Sequence, residues 1–282
     1  MSNESSIIFK NKSKEFINSM NRKSWMQDIS NTGIMIYDYD YNNFKFDHHI
    51  IELLTERKFL SKTDCLDQIH KELSCKDMEV DVNQINNIVK TCYEPSEKIN
   101  KIYSDFMYKI VQPVVGESVY FQKTPTFRFS FPKSKGMTKR DYHNDIMLGH
   151  PPEEINVWVP FTNSSESRSF VIIDIEKSLE LLKKYDNDME SLHAAIWKDD
   201  EVKSFCDNNC SVVNLKKGQF ILFDSRCIHA AILNESDYTR VSMDVRVISE
   251  NEYNNLPFNY VGTGRRQSKF VPGDYYSSRL LT

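Results

Sequence analysis

The chain has 282 residues, 40% of them hydrophobic and 27% charged, with 36 Lys and Arg against 40 Asp and Glu for a net charge of -4. That composition supplies a substantial core and excludes disorder, and it leaves no global basic field to gather nucleic acid. The stretch Met1 to Phe16 lacks the apolar centre of a secretory signal, and no apolar run reaches the length needed to span a bilayer. The expectation is a cytoplasmic protein with no nucleic-acid and no membrane partner, and its six scattered cysteines fit reduced thiols rather than a disulfide framework.

Taken in chain order, residues 1–115 mix short aromatic or β-branched runs, such as Gly33 to Tyr39, with polar stretches resembling helix starts. Apolar residues at Ile85, Ile88, Val89 and Cys92 predict one helix, and Ile99, Ile102, Tyr103, Phe106, Met107 and Ile110 a second one beyond Pro95. After Gly116 the period changes to two. Ser118 to Gln122, Thr126 to Phe131 and Ile155 to Pro160 read as strands, as do Cys210 to Leu215, Gln219 to Phe223, Ile228 to Leu233 and Arg240 to Val247. Residues 175–207 carry helical spacing instead, through Leu179, Leu182, Tyr185, Leu192, Ile196 and Trp197, and 251–282 read as an irregular tail.

Many short strands without sustained strand and helix alternation favour an α+β fold with a mainly β core, a jelly roll, wrapped by a helical outer layer and carrying a helical insertion. The expected organisation is one domain over 1–282. Within it, 1–115 is a mixed support, 116–250 the jelly-roll core and 251–282 the tail.

His143 and Asp145 stand two positions apart, so an extended segment projects both from one face. His229 follows the strand run from Gly218 to Asp224. Two imidazoles and one carboxylate on one side of an ion leave its other side open, the arrangement suited to non-haem iron(II). Arg240 and Ser242, eleven and thirteen residues beyond His229, share a strand face and form a receptor for a carboxylate. Such a receptor suits the far end of a keto diacid whose other end chelates the metal. An ion pair of Arg240 with Glu235 or Asp237 is the ordinary alternative.

The order His143-x-Asp145, Gly218 to Asp224, His229 and Arg240-x-Ser242 resembles the iron(II)/2-oxoglutarate dioxygenases of the phytanoyl-CoA and ectoine hydroxylase type. The resemblance covers roughly residues 118 to 248, with a looser likeness to oxygenases of bacterial carbohydrate-modification clusters. It implies a double-stranded β-helix core, Fe(II) held by His143, Asp145 and His229, and 2-oxoglutarate and O2 as co-substrates anchored through Arg240 and Ser242. Gln122, Arg128 and Trp158 are the further positions it suggests for the co-substrate pocket. Halogenating members lack the carboxylate ligand, so Asp145 argues for hydroxylation or a related oxidation such as desaturation or ring closure.

The substrate expected is small and polar, a sugar or a nucleotide-linked or phosphorylated sugar. Arg265, Arg266 and Lys269, clustered with small residues, and Arg246, on the strand face of Arg240, are the candidate substrate-binding groups for an anionic partner. A homodimer is one option the sequence leaves open. Competing classes are a structural zinc site from Cys206, Cys210, Cys227 and His229, a cupin-like isomerase, and a non-catalytic carbohydrate-binding jelly roll. His150, before two prolines, reads as a turn histidine or as a lid over the metal.

Overall fold

The structure is a computed structural model and describes residues 32–61, 63–73, 82–94, 96–133, 140–256 and 269–278, with 82–86 as backbone only. The strands are β1 (Ile34–Asp38), β2 (Val119–Phe121), β3 (Thr126–Ser130), β4 (Ile155–Pro160), β5 (Phe170–Ile173), β6 (Cys210–Val212), β7 (Gln219–Asp224), β8 (His229–Ala231) and β9 (Arg240–Ser249). They form two antiparallel sheets. The larger runs β1-β7-β4-β9-β2 with β3 also on β9, and the smaller runs β6-β5-β8. Two facing antiparallel sheets with strands alternating between them make the jelly-roll core.

β9 shows why this sequence needs cover on both faces. Val241, Met243, Val245 and Val247 point outward into a core shared with helices, while Arg240, Ser242, Asp244 and Arg246 point between the sheets. On a buried strand such a polar row is costly without a partner, and it marks the inside of the roll as a site.

The outer core is built by a helical layer. Helices α1 (Phe46–Glu56), α2 (His70–Leu73), α3 (Val82–Tyr93), α4 (Glu97–Phe106) and α5 (Gln112–Val115) lie in the N-terminal part of the chain. Ser96 caps α4 by accepting from the Ile99 amide, one residue beyond Pro95. Between α4 and α5 the chain makes one π turn, Met107–Val111, and Gly116 ends α5 in the left-handed region at φ +81°. Phe106, fully buried, meets Tyr39, Phe44, Phe46 and Phe220 at centroid distances of 5.1 to 5.6 Å, which fastens the helical layer to β7.

The inner core fills the roll on the side of the small sheet. Trp158, Phe170, Ile172, Ile221 and Phe223 pack there with Leu179, Leu182, Leu192 and Ile196 from α6 (Ile175–Lys184) and α7 (Met189–Lys198), and α8 (Asp200–Asn209) follows. Aspartates 174, 188 and 199 cap these three helices, each accepting from amides of the first turn.

Two differences from the sequence expectation stand out. β5 is an unbroken apolar run, Phe170 to Ile173, buried on both faces between β6 and β8, so it carries no alternation to betray it. The tail is not wholly irregular in its packing: within 269–278, Phe270, Tyr275 and Tyr276 are buried, and the Lys123 and Ser277 amides bond to the carbonyls of Tyr275 and Phe121 at 2.8 Å. No helix among the described residues is long and apolar enough to cross a membrane.

Candidate metal centre and co-substrate pocket

His143 and His229 are a hydrogen-bonded antiparallel pair, each amide bonding to the other's carbonyl at 3.0 and 2.8 Å. Side chains of such a pair leave the sheet on one side, and the two rings stand 4.6 Å apart. Asp145 reaches them by a route other than the extended segment expected. Asn144 accepts from the Met147 amide and starts a single turn, Asp145–Leu148, which Gly149 ends at φ +90°. One ligand atom from each of His143, Asp145 and His229 then lies within 4.8 Å of the others.

The protonation of the three groups suits a cation. Nδ1 of His143 donates to the Asp141 carbonyl at 2.7 Å and Nδ1 of His229 to the Cys227 carbonyl at 3.1 Å, which leaves each Nε2 lone pair available. Burial, reinforced by the charge of His143, pushes His229 down to about 4, so it is neutral at physiological pH. Burial works against the charge of Asp145, but the Arg246 guanidinium beside it holds the carboxyl well below the usual range. Arg246 grips both oxygens, Nε to Oδ2 at 3.1 Å and Nη2 to Oδ1 at 3.0 Å, and remains protonated although buried.

A cavity of about 270 Å³ opens from this cluster between the sheets. On its wall Arg240 is 7% exposed and has no ion-pair partner among the described residues, with Nε unbonded; the hydroxyl of Ser242, two residues along β9 and fully buried, likewise has no partner among them. Desolvation lowers the Arg240 guanidinium to about 10, against the pull of Asp244. A buried, unpaired cation costs several kcal/mol, so this part of the cavity favours an anionic group. The guanidinium stands 5.9 Å from the centre of the Trp158 ring, which lines the same cavity. The donor set therefore fits an iron-type ion, and the Arg240 and Ser242 corner fits a carboxylate.

The remaining sequence candidates divide. Trp158 and Arg128 line the cavity, although Arg128 is half exposed and paired with Asp244 at 2.7 Å. Gln122 does not line it: its amide bonds to Thr124 and Thr126 and receives the Tyr275 hydroxyl, because β2 turns that side chain under the C-terminal segment. Arg246, expected on the substrate side, is committed to Asp145. Lys269 is exposed and outside the cavity wall, while Arg265 and Arg266 lie outside the described residues. His150 is not a solvent-exposed turn residue. It is 2% exposed, lines the cavity, and donates from Nδ1 to Glu154 at 2.8 Å, and Tyr276 donates to the other Glu154 oxygen at 2.6 Å.

The zinc alternative does not assemble. Among the described residues His143, Asp145 and His229 are the single group of three or more metal-type ligands, and the described cysteines form no disulfide. Cys210 sits instead beside the Tyr142 hydroxyl at 3.3 Å, and Cys227 points its thiol at the Gly33 carbonyl.

Comparison with known proteins agrees with this geometry. Solved structures similar to the chain include EctD from S. alaskensis in its apo form, with TM-score 0.53, 12% identity and coverage of 88% of this chain and 83% of that one. The same protein with 2-oxoglutarate and 5-hydroxyectoine gives TM-score 0.52 at 12% identity, over 83% of this chain and 78% of that one. A curated relative, the streptomycin biosynthesis protein StrG of Streptomyces griseus, is 26% identical over 162 residues, or 57% of this chain and 62% of that protein's length. Fold and donor set are thus of the type found in iron- and 2-oxoglutarate-dependent oxygenases. The family model for phytanoyl-CoA dioxygenase (PhyH) matches residues 70–242, more than half of the chain, and the chain belongs to that family.

Proposed function

We propose that the protein hydroxylates, or otherwise oxidises, a small polar substrate of the sugar class, free, phosphorylated or nucleotide-linked, within a bacterial biosynthetic route. His143, Asp145 and His229 hold the iron, and Arg240 with Ser242 takes the distal carboxylate of 2-oxoglutarate. The observation that carries these assignments is the buried Arg240 without a counter-ion, across one cavity from two imidazoles and an anionic carboxylate. Similarity to StrG supports the sugar class.

Iron and 2-oxoglutarate supply the oxidising power, the co-substrate leaving as succinate and carbon dioxide. The chain's own work is positional. Carbonyl acceptors on both Nδ1 atoms fix the imidazoles, Arg246 fixes the carboxylate, and Trp158 with Phe170 and Phe223 keeps the cavity wall apolar around the polar atoms. The test is succinate release from 2-oxoglutarate with iron(II), oxygen and ascorbate, followed by a screen of sugars and their phosphate and nucleotide derivatives. Substrate-stimulated, oxygen-dependent succinate with a product heavier by one oxygen is the expected result. Sugar binding without any succinate would overturn the assignment in favour of a carbohydrate-binding module.

A further inference from the structure

β4 places one polar residue directly across the roll from the metal ligands. Asn156 pairs laterally with Phe223 on β7 and with Arg246 on β9, and adjacent antiparallel partners present their side chains to the same face. Phe223 packs edge-on to His229 at 5.2 Å, and Arg246 grips Asp145, so Asn156 stands between the supports of two of the three ligands. It is 3% exposed and lines the cavity, and among the described residues its Nδ2 has no hydrogen-bond partner; Nη1 of Arg246, 5% exposed, is likewise unbonded there. Native proteins rarely leave two buried donors side by side without an acceptor.

Spacing says which acceptor. The next row along the same face is Trp158 opposite Asp244, and the Arg240 guanidinium reaches back over the Trp158 ring. Successive rows on one face are two residues apart, about 6.6 to 6.8 Å. An extended five-carbon diacid spans roughly 5 Å between carboxyl carbons, from C–C bonds of about 1.5 Å, and its oxygens add the remainder. A diacid held at one end by Arg240 therefore brings its other end to the row of Asn156.

We infer that Asn156, with Nη1 of Arg246 beside it, is the donor pair for the keto-acid carboxylate of 2-oxoglutarate, and so a second, separate anchor for the co-substrate. This rests on the metal and Arg240 assignments proposed above. The two anchors divide the diacid between them: Arg240 and Ser242 select for the distal carboxylate, and Asn156 serves any 2-oxo acid.

Anaerobic titration of the iron(II)-loaded full-length protein with 2-oxoglutarate, and separately with 2-oxobutyrate, which lacks the distal carboxylate, reads this division through the visible charge-transfer absorbance of the chelate. In Asn156→Ala the dissociation constants of both acids should rise by the same factor, about tenfold or more, as expected for one hydrogen bond to a charged group. The isosteric Asn156→Asp should weaken both further by charge repulsion. Arg240→Ala should weaken 2-oxoglutarate and leave 2-oxobutyrate as it was. Iron(II) affinity without any oxo acid, unchanged in Asn156→Ala, certifies that the fold and the ligands are intact. Unaltered affinity for both acids in both Asn156 variants, or a loss confined to 2-oxoglutarate, would overturn the inference while sparing the oxygenase assignment. Wild-type protein that binds iron but gives no absorbance with either acid would instead bring down the parent assignment, and this one with it.

Discussion

Asp145 keeps its charge in a place where burial alone would neutralise it, and Arg246 is the reason. Two consequences can be measured. Asp145→Ala should weaken iron(II) binding in a chelator-competition assay; unchanged iron affinity would remove Asp145 from the ligand set. Arg246→Met frees the carboxylate to rotate and leaves it buried beside no cation, so iron affinity should fall about 10- to 100-fold, as for other partners that orient a metal ligand. His229 gives the metal-free protein a pH dependence whose sign follows from its depressed pKa, about 4 in the fold against the ordinary 6.5. Unfolded chains take up the proton first, so the contribution is complete above 6.5 and disappears as pH falls towards 4. That is on the order of 3 kcal/mol at most. Thermal melts of chelated protein should show it as a falling Tm across that window, with a shallower slope in His229→Asn.

At the scale of elements, β9 decides most of the architecture. Its two faces serve opposite ends, valines and Met243 for the helical layer and a polar row for the cavity, and a slip of one residue would exchange them. Phe106 is the complementary contact from the helical side, with rings of Tyr39, Phe44, Phe46 and Phe220 around it. Phe106→Ala should cost about 3 to 5 kcal/mol in urea unfolding, because the cavity it leaves is walled by rings already packed on one another. Strands with alternation were legible in the sequence, as were α3, α4 and the helices after Asp174. β5 was not, since four consecutive buried apolar residues have no period, and only pairing with β6 and β8 gives Phe170 to Ile173 their role.

At the scale of the whole molecule, the C-terminal segment closes the structure around the site. Tyr276 donates to Glu154, Glu154 accepts from His150, and His150 lines the cavity, so ten residues far from the roll in sequence buttress a cavity wall. Tyr276→Phe removes one donor from a fully buried carboxylate and should lower stability by about 1 to 3 kcal/mol in denaturant titration, with iron(II) affinity preserved. The same network gives His150 a buried place that its local sequence does not signal: a histidine before two prolines reads as a surface turn, and nothing local announces Glu154 and Tyr276 as its neighbours.

What the sequence determined by itself was the chemistry of the site: the ligand types, their order, and the arginine and serine two apart on one strand, because side-chain chemistry and a period of two are local properties. Which of the other polar groups face the metal was decided by the tertiary structure alone. Arg246 goes to Asp145 and Gln122 to the C-terminal segment, while lateral register between β7, β4 and β9 sets Asn156 into the cavity beside residues scores of positions away. Burial then imposes partners on the charged and polar groups that meet there.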